Sequence, residues 1–109
     1  MSTRTGKQTV VMSNPPVIIG GAAIVGRKEG DGPLARYYDQ IVDDEYFGEK
    51  SFEKAESRLL RDTLVKALEK CGKSASDLNF IISGDLQNQC TAASYALRDV
   101  RVPFIGIYG

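Results

Sequence analysis

One short run concentrates the side chains able to hold a small polar ligand: Gly84-Asp85-Leu86-Gln87-Asn88-Gln89. It follows the apolar run Leu78 to Ser83 and precedes the helix-forming run Thr91 to Arg98. The spacing therefore puts it at the carboxyl end of a strand and the head of a helix, where open α/β folds bind ligands. A helix start offers free backbone N–H groups to an anion, and the carboxamides of Asn88 and Gln89 can donate to a carboxylate. The same residue types also serve a purely structural purpose, with Asp85 and Asn88 capping the helix and Gln89 packed at an interface. A second candidate lies in Gly26 to Gly32, where Lys28, beside Arg27, offers a cation to an anionic ligand. That loop has neither the GxxxxGK[ST] nor the GxGxxG spacing of a phosphate cradle, and a solvated loop with ordinary surface charges is the simpler reading. Candidate ligand contacts are thus Asp85, Asn88, Gln89 and Lys28. Asp39, Asp43, Asp44 and Glu45 are of the right type for calcium but miss the EF-hand pattern, so they read as a solvated acidic run. No catalytic residue, metal site or cofactor is assigned.

Composition narrows the chemistry further. The chain holds no histidine, which removes Ser-His and Cys-His nucleophile pairs and His-containing zinc sites within it. Cys71 and Cys90 lie far apart, form no CxxC motif, and read as reduced, buried thiols. Nothing beside Cys90 in sequence supplies a base or charge to activate it. Fourteen basic residues balance fourteen acidic ones, so there is no electrostatic footprint for nucleic acid. With 109 residues, 42% of them hydrophobic, the chain allows one globular domain at most and argues against disorder. No signal-peptide run follows the N-terminus, and no stretch approaches the roughly 20 apolar residues of a membrane span.

The elements that must position these residues follow from periodicity. Val17 to Val25 is continuously apolar, as a strand covered on both faces would be, with Gly20 and Gly21 marking a bulge or another backbone passing close by. Pro33 starts a short helix expected to run to about Ile41. Ser51 to Cys71 is the clearest element. Ser51 suits the N-cap, Glu53 the first turn, Lys66 and Lys70 the last, and Gly72 a left-handed stop. Its apolar residues, from Phe52 and Ala55 through Leu64 to Leu68 and Cys71, make one broad stripe predicted to cover a sheet. Leu78 to Ser83 and Val102 to Tyr108 read as two more buried strands, with the helix Thr91 to Arg98 between them. Strand, helix, strand, helix, strand predicts an α/β fold: a parallel sheet with covering helices. Three such strands with so few helices leave an apolar face open, so residues 1–109 are expected to be part of a larger domain or to have that face covered by a partner chain.

In these same segments the sequence resembles the stage V sporulation protein AD family, which has a thiolase-like fold. The resemblance rests on Thr5-Gly6-Lys7-Gln8-Thr9, on Lys28-Glu29 followed by Asp31-Gly32-Pro33-Leu34, and on Lys50-Ser51 before the long helix. It is most specific at Ser83-Gly84-Asp85-Leu86, Asn88-Gln89, Thr91-Ala92 and Pro103-Phe104. It implies that the chain is the first part of a thiolase-like half. In function it implies a binding protein of bacterial sporulation, not an enzyme, that takes dipicolinic acid into the developing spore. It further implies a homodimer located in the forespore, peripheral to the spore inner membrane, with other products of the stage V sporulation A operon as partners. Calcium enters only as a bridge, because an Asp85 carboxylate would repel dipicolinate unless a cation lay between them. The competing expectations are a fragment of a thiolase or ketoacyl-synthase-type condensing enzyme, whose nucleophilic Cys would follow Gly109, and an inert fragment without binding of its own.

Overall fold

The computed structural model describes every residue except Leu86, Asn88, Tyr108 and Gly109. The fold is α/β, with strands β1 (Thr3–Thr5), β2 (Thr9–Val11), β3 (Ile24–Gly26), β4 (Gln40–Val42), β5 (Ile81–Ser83) and β6 (Phe104–Gly106). They form three pairs among the described residues: an antiparallel hairpin β1-β2 and two parallel pairs, β3-β4 and β5-β6. In the last pair Ile81, Ile82 and Ser83 stand opposite Phe104, Ile105 and Gly106.

The long helix α2 (Phe52–Cys71) forms as its sequence predicts. Ser51 is extended and its hydroxyl accepts the Lys54 amide at 3.3 Å, while Gly72 takes the left-handed conformation (φ 63°) and returns its N–H to the Glu69 and Leu68 carbonyls. The helix α3 (Thr91–Leu97) also lies where its pattern put it. The centre of the molecule is the contact between these two helices. Ala55 of α2 and Ala92, Ala93, Ala96 and Leu97 of α3 are buried, joined by Ile24 and Cys90. Small residues let the two backbones approach closely enough for α2 side chains to reach the α3 carbonyls. Ser57 Oγ donates to the Ala92 carbonyl at 2.9 Å and Arg61 Nε to that of Ala96 at 3.3 Å.

Four expectations are corrected. Of the run 17–25 only Ile24 and Val25 sit in a ladder; Val17, Ile18 and Ile19 are exposed, because no described strand lies alongside to pair with them. What lies against this run is a side chain and not another backbone: a Cβ on Gly20 would collide with the Cys71 thiol, and one on Gly21 would meet nothing within 4 Å. The helix expected from Pro33 to Ile41 is a single 3-10 turn at Ala35–Tyr37 followed by β4, since Gln40–Val42 finds a parallel partner in β3. Arg27–Gly30 of the glycine-rich loop forms one helical turn, α1. Finally, the apolar stripe of α2 is half-buried beyond Ala55, and Cys71 with it, because the helix packs mainly on α3 and only one edge meets β3.

Candidate functional site

Strand β5 delivers the chain to Gly84, which must lack a side chain: a Cβ there would stand 2.7 Å from the Ile107 carbonyl oxygen beyond β6. Asp85 follows and turns inward, only 9% exposed. One carboxylate oxygen accepts the Cys90 amide at 3.0 Å and the other accepts the Ala93 amide at 2.9 Å. These are N–H groups at the start of α3, which has no intrahelical partners for them, so Asp85 caps the helix from five residues upstream. Both oxygens of Asp85 are thereby used within the protein.

Between these anchors the chain bends sharply. Gln89 (φ 44°) and Cys90 (φ 70°) are consecutive non-glycine residues in the left-handed region, a conformation that persists only where surrounding contacts hold it. Those contacts are the Asp85 carboxylate and the buried Cys90 thiol, which donates to the Ile107 carbonyl at 3.2 Å. Gln87 Nε2 donates to the Phe52 carbonyl at 3.4 Å and ties the turn to the head of α2. Gln89 is exposed, and its carboxamide makes no hydrogen bond among the described residues. Of the sequence candidates, Asp85 and Gln89 thus share one turn, while Asn88 lies outside the described residues. Lys28 sits exposed on α1 beside β3 and β4, and no hydrogen bond or ion pair among the described residues joins it to that turn.

The acidic run does not converge. Asp39 accepts Lys70 Nζ at 2.7 Å and the Ala23 amide at 2.8 Å, and the lysine bond first, then the amide, holds its carboxyl below the ordinary range. Asp44 accepts the Tyr46 and Gly48 amides, which lower its pKa likewise. Among the described residues no three Cys, Asp or Glu side chains are grouped to hold a metal ion, and no helix is long and apolar enough to cross a membrane.

The roles of Cys90, Gln87 and the Ile107 carbonyl escaped the sequence reading. Gly84 and Gly106, each at the end of a strand, were the available signal, because glycine at such positions marks close backbone approach.

The family model described as Stage V sporulation protein AD matches residues 6–109. Stage V sporulation protein AD of Bacillus subtilis (strain 168) is 36% identical over 105 residues, covering 96% of this chain and 31% of the relative. The chain therefore spans about a third of the length of the curated relative it matches. The family's description names a sporulation protein and no enzyme.

Proposed function

The chain belongs to the stage V sporulation protein AD family, and from that premise we propose that it contributes the dicarboxylate-contacting turn of a dipicolinic-acid-binding protein. In this reading the whole protein binds without transforming its ligand and serves dipicolinate uptake into the developing spore. It works in the forespore at the periphery of the spore inner membrane, as a homodimer, with other products of the stage V sporulation A operon. A thiolase-like arrangement of the complete protein belongs to the same reading.

The observation that supports it is the division of labour within the turn. Asp85 has both oxygens turned inward onto backbone amides, while Gln89 beside it presents an exposed carboxamide. Asp85 then acts as a positioning residue and sets its charge against N–H dipoles, not against the ligand. Gln89 donates its N–H to a ligand carboxylate, with Asn88 as a second donor. Lys28 contributes attraction from a distance, as an exposed cation. Because the Asp85 charge is met within the protein, binding needs no calcium bridge at this residue.

The test is calorimetric titration of the full protein carrying this sequence with dipicolinic acid, with and without calcium. Saturable binding in calcium-free buffer is expected, with no acyl transfer from coenzyme A thioesters. Absence of binding in both buffers would overturn the reading.

A further inference from the structure

Two close approaches converge on one backbone atom, the carbonyl oxygen of Ile107, and a third contact fixes the amide of the same residue. The Cys90 thiol donates to it at 3.2 Å, and a Cβ on Gly84 would stand 2.7 Å from it. On the β5 side the same residue is fixed by its own amide, which donates to the Ser83 carbonyl at 2.9 Å. The thiol is confined in turn, since a Cβ on Gly106 would lie 3.1 Å from Cys90 Sγ. Cys90 is 3% exposed and left-handed, and its amide is held by Asp85. The thiol is thus held between a backbone carbonyl on one side and a glycine that leaves it little slack on the other.

We propose that Cys90 is a positioning residue that couples the ligand-facing turn to the end of strand β6, with Gly84 and Gly106 kept free of side chains so that the coupling is tight. Close-packed contacts without slack transmit displacement instead of absorbing it. Gln89 is bonded directly to Cys90, so a ligand that draws on Gln89 shifts the thiol, and with it the Ile107 carbonyl. By linkage, a change at the end of β6 alters the affinity of the turn by the same factor. The inference rests on the dicarboxylate reading of the turn for its ligand, but the coupling has a readout of its own.

The experiment compares Gly106→Ala, Cys90→Ala and the double variant with wild type in the full protein. It measures amide hydrogen exchange at Cys90 and Ala93, the two groups bound by Asp85, together with dipicolinate affinity. Gly106→Ala presses on Sγ and is expected to speed exchange at both amides about tenfold. It should also weaken binding roughly five- to tenfold through misplacement of the turn. Adding Cys90→Ala removes the pressed atom and should restore both quantities most of the way, a rescue that a general loss of stability would not show. Wild-type exchange in Gly106→Ala, or a double variant no better than Gly106→Ala, would overturn the coupling. If Gly106→Ala does not fold, Cys90→Ser and Cys90→Ala decide. The serine retains a donor for Ile107 and should exchange like wild type, the alanine faster, and equal rates in all three would refute the proposal. Should wild type bind no dipicolinate, the ligand reading falls alone and the exchange rates still judge the coupling.

Discussion

At the residue scale, Asp85 is the side chain whose role the sequence left open between ligand contact and helix cap. Its geometry is that of a cap, and this has a measurable cost attached. Asp85→Asn keeps the size but turns one acceptor into a donor, so either the Cys90 or the Ala93 amide faces an N–H. A buried amide left without a partner costs about 1–3 kcal/mol. The denaturant midpoint of Asp85→Asn should fall accordingly with little change in slope, and a variant as stable as wild type would show that those bonds are dispensable. The residue types at the turn were legible in sequence, down to the helix they precede. What could not be read was that Gly84 and Gly106 make room for atoms on other segments, since the Ile107 carbonyl and the Cys90 thiol approach only after folding.

At the element scale, the two helices were legible and the strands much less so. Helix α2 carries its own instructions: a serine cap and a glycine stop, both made by local hydrogen bonds, with an acidic first turn and a basic last turn. Ser51→Ala should therefore destabilise the chain by about 1 kcal/mol through loss of the cap to Lys54. That is readable as a lower thermal midpoint with α-helical content largely retained below it; an unchanged midpoint would deny the cap an energetic role. Strand boundaries depend instead on partners distant in sequence. Val17 to Ala23 has strand composition but no described strand partner, whereas Gln40–Val42 looks helical in pattern and becomes a strand because β3 lies beside it. In the hairpin β1-β2 the run Thr9–Val11 is apolar and β-branched as a strand would be, while its partner Thr3–Thr5 is too polar to stand out.

At the scale of the whole molecule, the packing is looser than 109 residues normally achieve. The radius of gyration is 16.1 Å, against about 13 Å for a compact domain of this length. One face of the β5-β6 pair shows why: Phe80, Ile82, Ile105 and Ile107 are each about half exposed, although parallel strands are normally covered on both faces. Tertiary polar contacts consequently matter. Asp39 bridges the β3-β4 region to the end of α2 through Lys70, and Asp44 and Asp77 hold their local turns. All three carboxyls titrate below the ordinary value of 3.8, Asp39 chiefly through Lys70, Asp44 through the Tyr46 amide and Asp77 through the Ser74 amide. A depressed folded-state value means that their stabilisation is fully present above 3.8 and is lost as the pH falls through the lower folded values. Urea midpoints should be flat from about pH 7 to about pH 5 and decline only in more acid solution; a decline beginning near neutrality would assign the acid sensitivity to other groups. For function, the decisive comparison is Gln89→Ala with wild type in the full protein, measuring dipicolinate affinity and unfolding midpoint on the same preparations. Because Gln89 is exposed and its carboxamide makes no hydrogen bond among the described residues, affinity should fall about tenfold, as loss of a hydrogen bond to a charged group implies, while the midpoint stays at the wild-type value. Unchanged affinity would contradict the assignment of this turn as the ligand contact.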